Sequence, residues 1–403
     1  MIFPIFFFLL TLFASVSVCI TEDEEDRLIA LHRSLIEIRS STKTGDPQTD
    51  ERNVQSFIEN YLKEMAKELK VDITIKRQEV TEGRDNLYAY IGRERSTSVM
   101  LTSHVDTVQP HFGYSVGVDE EGEELIYGRG ANDAKGSVAA MMIAFRSLII
   151  DKQVKPGDLS LLFVVAEEIG GEGMREFSKL GLTWDSVIFG EPTDNKLATG
   201  QIGGMAFKVN TFGKQVHSGF PELGKNAIDS LRKVMDHLHD VVGEIKSDER
   251  YGLNSLNLGQ IGGGVADNAV PPDAWATGSY RLTVGTDEAK EKINRYINQK
   301  ACPRWDWKSN PDSPCADIVI EYTFTEEPLD IDHDIPGFNT FGARFGSDIS
   351  ILAGNHRKYL FGPGSILTAH TLGEYVKRSE LIAAVDGYKR IVVHRLNDIK
   401  GSE

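Results

Sequence analysis

A chain of 403 residues is too long for one simple core, and 40% hydrophobic and 26% charged residues with 38 glycines describe a soluble globular protein of two domains. A formal charge of −16 and a pI near 5.2 argue against a nucleic-acid partner, which would call for a basic face.

The chain opens with MIFPIFFFLLTLFASVSVCITEDEED: an apolar run, small residues, then dense acid. The run holds about a dozen residues, short of the ~20 that span a bilayer. It therefore reads as a secretory signal peptide over 1–19, cleaved between Ala14 and Ile20, although no Lys or Arg precedes it. The acidic run is expected to be a solvated tail. Cys19 sits at the leader's edge, while Cys302 and Cys315 flank a Pro- and Asp-rich loop and read as a local disulfide of an oxidising compartment. No Asn-x-Ser/Thr acceptor occurs. The protein is expected to be extracellular, with no membrane attachment once the leader is removed.

After the leader, 24–37 and 54–69 have helical periodicity, and VDITIKRQEV, NLYAYIG and SVMLTSHV read as strands. A helix over 136–150, the strand DLSLLFVVA, a short helix near 174–180 and the strand SVIFG follow. Strands alternating with helices predict an α/β domain with a mainly parallel sheet, whose ligands gather beyond the carboxyl ends of the strands. From 202 to 326 the pattern becomes strand–helix–strand–strand–helix–strand, the split βαβ plan of a small ferredoxin-like α+β unit. Residues 327–403 return to the first pattern, so 202–326 reads as an insert between two parts of one domain, 20–201 and 327–403.

The chemistry lies at the strand ends. LLFVVAEEIGGEG runs from buried-looking apolar residues into Glu167 and Glu168, and two carboxylates ~4 Å apart repel by up to ~4 kcal/mol at an effective dielectric of about 20. SHVDTV offers His104 and Asp106, GRGANDAKGS places Asp133 before a helix, FGEPTD ends in Glu191, and LTAHTLGEYV supplies His370. Brought to one rim, five carboxylates and two imidazoles require cations. Histidine and carboxylate without cysteine suit zinc with open positions for water and substrate. Two metals ~3.5–4 Å apart need a bridging carboxylate. That leaves Asp106 and Glu167 as the spare pair, one to hold a histidine ring and one to handle protons. GRGANDAKGS is not a phosphate loop, because its order is Lys-Gly-Ser and Asp133 would repel phosphate.

In order, SHVDTV, GRGANDAKG, VVAEEIGGEG, FGEPTD and LTAHTLGEYV resemble the acetylornithine deacetylase, succinyl-diaminopimelate desuccinylase and glutamate carboxypeptidase family of dizinc exopeptidases and aminoacylases, over about 26–400. The resemblance implies two Zn²⁺ per chain: Asp133 bridging, His104 and Glu191 completing one site, Glu168 and His370 the other. It implies that Asp106 orients His104 and that Glu167 is the general base. Glu191 stands where many members carry Asp. His217, in KQVHSGFPELGKNAI, resembles the histidine that reaches across a dimer to the neighbouring site, and Asn268 and Arg281 the pair that grips the substrate carboxylate. Gly362 and Gly364 are expected to let the backbone approach that carboxylate. The implied activity is hydrolysis of an amide or peptide bond next to a small amino acid with a free carboxylate, by a homodimer joined through the insert. An N-acyl-amino-acid deacylase, an inactive binding protein on the same scaffold and a two-metal phosphoesterase are the alternatives.

Overall fold

A computed structural model describes residues 20–41, 51–301 and 317–402. The expected leader and the expected Cys302–Cys315 bridge lie outside those residues. The first half of the chain forms α1 (Glu22–Glu37), α2 (Glu51–Leu69), β1 (Ile73–Thr81), β2 (Arg84–Ile91), β3 (Val99–His104), β4 (Ser115–Val118), β5 (Glu124–Tyr127), α3 (Lys135–Ile150), β6 (Leu159–Val164), α4 (Glu172–Ser178), β7 (Ser186–Phe189) and β8 (Leu197–Gln201). The acidic run expected as a solvated tail instead starts α1. The Thr21 side chain accepts the N–H of Glu24, the Glu24 side chain answers to the Thr21 backbone, and the acids of the first turn face the positive end of the helix.

The main sheet has the order β1-β2-β6-β3-β7-β15, with β15 spanning Arg357–Leu360. The four strands β6, β3, β7 and β15 are parallel, and the β1–β2 hairpin adds an antiparallel edge. Alternate residues enter two cores: Leu101, Leu161 and Ile188 face one, Met100, Leu162 and Val187 the other. Strands β3 and β6 are buried along their whole length, as strands covered on both faces must be. The apolar helix α3 is buried with α1 and the C-terminal α7 (Arg378–Ser402) on the first face. Among the described residues no helix is long and apolar enough to cross a membrane.

The middle of the chain forms β9 (Gly203–Phe212), α5 (Ala227–Glu244), β10 (Ser255–Gly263), β11 (Asp273–Leu282), α6 (Thr286–Ala301) and β12 (Ile318–Glu326). The strands pair antiparallel in the order β10-β11-β9-β12. With Phe207, Leu231, Leu238 and Ile293 in a separate core, this is the split βαβ plan read in the sequence. Register gives the unit two ends: Gly204 lies opposite Arg281 at one, and Phe212 opposite Asp273 at the other.

The short strands β13 (Leu329–Asp330) and β14 (Thr340–Ala343) flank β8, and β16 (Tyr375–Lys377) pairs with β5. These segments, like β4 and β5, are too brief to show a period and were not foreseen as strands.

Candidate metal centre

Strands β3, β6 and β7 are parallel and in register, Val99 pairing with both Leu159 and Ser186. Their carboxyl ends therefore emerge on one edge of the sheet, ~5 Å from strand to strand. His104 closes β3, Glu167 and Glu168 follow β6, and Glu191 follows β7. The chain leaves β6 through Ala166, which takes the left-handed φ of 62°. Two contacts hold that conformation. The N–H of Ala166 donates to Glu51 Oε1 (3.1 Å), itself ion-paired with Arg84 at 2.5 Å in the interior, and the Asp106 carboxylate accepts the N–H groups of Glu167 and Glu168 at 3.1 Å each. His370 is also left-handed, at φ 63°. Non-glycine residues in this region are costly and persist only where surroundings enforce them.

Asp133 enters from the turn before α3 and stands between the two histidines. Its Oδ1 is 3.1 Å from His104 Nε2 and its Oδ2 is 3.2 Å from His370 Nε2. Glu168 Oε2 lies 3.1 Å from His370 Nε2, and Glu191 Oε1 lies 3.8 Å from His104 Nε2. The five side chains thus sort into two overlapping sets, His104–Asp133–Glu191 and Asp133–Glu168–His370. Ligand atoms of His104, Asp133 and Glu168 all lie within 4.8 Å of one another.

Electrostatics favours positive charge within this cluster. Burial lifts Glu167 well above the usual carboxylate range, lifts Glu168 to about 7 with help from the Asp133 charge, and raises Glu191. Burial lowers His104, but the Glu191 charge and hydrogen bonds to Asp106 and Asp133 outweigh it, so the imidazole is raised. Hydrogen bonds to Asp133 and Glu168 raise His370 to about 10. Carboxylates held this close either keep protons or take positive charge. Among the described residues no lysine or arginine forms an ion pair with Asp133, Glu167, Glu168 or Glu191. Oxygen and imidazole donors around a shared carboxylate fit two divalent cations, whose charge would balance those four acids.

The remaining sequence-predicted residues divide. Asp106 is fully buried beside His104, yet its main-chain oxygen, at 3.0 Å from Nδ1, is closer than its carboxylate at 3.5 Å. The carboxylate chiefly fixes the Glu167–Glu168 backbone. Arg281 lines a cavity of about 800 Å³ that also contains Asp133, Glu167, Glu168, Glu191 and His370. Asn268 does not join Arg281. It lies in the β10–β11 connection, where its carbonyl accepts the N–H of Ser218, beside exposed His217, which bridges to Ala269. The length of β11 separates that end from Arg281 by about 25 Å. Gly362 and Gly364 are tightly packed: a Cβ on Gly362 would strike Ser137 Oγ at 2.3 Å and one on Gly364 would strike Asn132 Oδ1 at 2.1 Å.

Two residues were missed. Glu374, fully buried, accepts the N–H groups of Gly130 (3.0 Å), Asn132 (3.2 Å) and Asp133 (3.1 Å) on Oε1 and Arg129 Nη1 at 2.5 Å on Oε2. Its presence in LTAHTLGEYV was the only signal. Asp348, buried in the turn after β14, is raised to about 8 by burial.

The model of peptidase family M20/M25/M40 matches residues 100–394. A peptidase M20 domain-containing protein of Schizosaccharomyces pombe is 39% identical over 377 residues, covering 92% of this chain and 85% of its own. A probable carboxypeptidase of Aspergillus clavatus is 36% identical over 393 residues, with 92% and 89% covered. The fold also matches a Bacillus subtilis protein described as a dinuclear metal-binding peptidase of the M20 family, with a TM-score of 0.64 at 14% identity over 94% of this chain and 99% of the other. Sequence and ligand geometry agree that this chain is a metallohydrolase belonging to peptidase family M20/M25/M40.

Proposed function

We propose that the protein is a secreted zinc carboxypeptidase that hydrolyses the amide bond before a terminal amino acid with a free carboxylate. The observation that carries this reading is Asp133 set between His104 and His370, with Glu191 and Glu168 on its two sides. Zinc ions held by His104, Asp133, Glu191, Glu168 and His370 would polarise a carbonyl and acidify water. Glu167, raised in pKa and lining the same cavity, takes the proton from the attacking water and delivers it to the leaving amine. Arg281 receives the substrate carboxylate through its planar guanidinium.

His217 and Asn268 lie at the end of the insert remote from Arg281, so they serve a site only in a second copy of the chain. Exposed Phe220, Leu223 and Val265 at that end favour a protein contact there. In a C2 dimer His217 donates a hydrogen bond to the oxyanion of the partner's site. Export rests on the leader-like N-terminus, and recovery from medium of a chain beginning at one of residues 15 to 20 would establish it.

The deciding experiment incubates the purified protein with N-acetylated dipeptides and N-acetyl amino acids, with metal analysis alongside. Chelator-sensitive release of the terminal amino acid from the dipeptides, with about two zincs per chain, is the expected outcome. Release of acetate alone would replace the carboxypeptidase reading with a deacylase, and metal binding without hydrolysis would make the chain a binding protein.

A further inference from the structure

The insert contributes a second chemical surface to the cavity. At its inner end β12 carries a bulge: Tyr322 pairs with Phe207 but Phe324 pairs with Ala206. The extra residue moves Phe324 off the face shared by Tyr322 and Phe207, which looks into the insert's core. The ring is left 49% exposed and borders the cavity with Phe345 and Ile351. Gly204 leaves room beside it. A Cβ there would lie 3.5 Å from Arg281 Nη1, 3.8 Å from Phe324 Cε1 and 3.8 Å from Glu326 Oε2.

Guanidinium and aromatic ring thus share one open space. Among the described residues Arg281 has no ion-pair partner. The acid nearest that space, Glu326, accepts hydrogen bonds from Gln201 Nε2 at 2.9 Å and Ser350 Oγ at 2.6 Å, both on Oε1. A substrate held by its carboxylate on Arg281 therefore places the side chain of its terminal residue against the ring.

We infer that Phe324, with Phe345 and Ile351, forms a specificity wall that selects substrates ending in a large aliphatic or aromatic residue. This rests on the carboxypeptidase reading. An apolar pocket that gains or loses such a side chain discriminates by about ten- to two-hundredfold.

The test measures kcat/KM for N-acetylglycyl-X with X as Phe, Leu, Gly, Glu and Lys, using zinc-loaded full-length protein. Phe and Leu are expected to exceed Gly, Glu and Lys by at least about tenfold. The Phe324→Ala variant, checked for zinc content and thermal unfolding, should reduce the Phe-to-Gly ratio by about tenfold, seen mainly in KM. A flat wild-type profile, or a preference for Lys directed by Glu326, overturns the inference while leaving the carboxypeptidase reading intact. A normally folded Phe324→Ala variant with an unchanged Phe-to-Gly ratio also overturns it. Should the variant misfold, the wild-type profile and Phe345→Leu, which narrows the same wall, carry the test. No hydrolysis of any member by zinc-loaded protein refutes the carboxypeptidase reading itself and the inference with it.

Discussion

Glu374 Oε1 accepts the N–H of Asp133 at 3.1 Å, tying the segment that carries His370 to the turn that carries the carboxylate between the two histidines. Neither the backbone of that turn nor Arg129 has water to replace this acceptor, since Glu374 and Arg129 are both buried. Removing one partner of a buried ion pair costs about 3–5 kcal/mol. Glu374→Ala should therefore lower the thermal midpoint and weaken metal binding together. Glu374→Gln, which keeps one acceptor, should lose less of each. Calorimetry and metal titration check this, and Glu374→Ala binding metal like wild type would remove the positioning role.

Glu167→Gln should cut kcat by about a hundred- to ten-thousandfold, the usual contribution of a positioned acid–base group. Metal content should stay at the wild-type level, because Glu167 lies outside both ligand sets. Steady-state kinetics paired with elemental analysis decides the point.

His370→Ala removes a donor from the Asp133–Glu168 set alone. Zinc per chain should fall from about two to about one. Loss of both ions, or of neither, would show that the two sets do not act as separate sites.

If His217 works across a dimer, neither His217→Ala nor Glu167→Gln is active alone, yet a mixed dimer contains one intact site. Mixing the two variants under exchange conditions should recover up to about a quarter of wild-type activity, the share set by random pairing of copies in a C2 dimer. No recovery, with exchange verified by mass, would remove His217 from the partner's site.

Stability should respond to pH through the same cluster. Glu168 rises from its ordinary 4.5 to about 7, and His370 from 6.5 to about 10. In both windows the folded chain binds more protons than the unfolded one, so stability falls as pH rises: through about 4.5–7 for Glu168 and about 6.5–10 for His370. Metal favours the deprotonated ligands and opposes that loss. Thermal melts from about pH 6 to pH 9 should show chelator-treated protein losing stability and the rescue by zinc growing. A rescue independent of pH would contradict this linkage.

Much of the centre was legible because parallel strands impose a simple rule. Once SVMLTSHV, DLSLLFVVA and SVIFG are read as neighbours, whatever follows each must appear on one rim. His104, Glu167, Glu168 and Glu191 could be placed from the chain alone for that reason. Arg281 needed the insert's topology as well, and it lines the same cavity as those acids. What packs against Gly362 and Gly364 was not legible: only the folded chain reveals that Ser137 and Asn132 occupy the space where their side chains would stand.

The sequence by itself determined the chemistry: which acids and imidazoles exist, their order, and the strand–helix rhythm that delivers them, since residue type and apolar period are local properties. Tertiary structure alone decided that the Glu374 carboxylate closes on the Asp133 turn, that Asn268 parts from Arg281, and that a bulge aims Phe324 at the cavity. Those outcomes depend on register and on buried hydrogen bonds between segments distant in the chain, which no local pattern encodes.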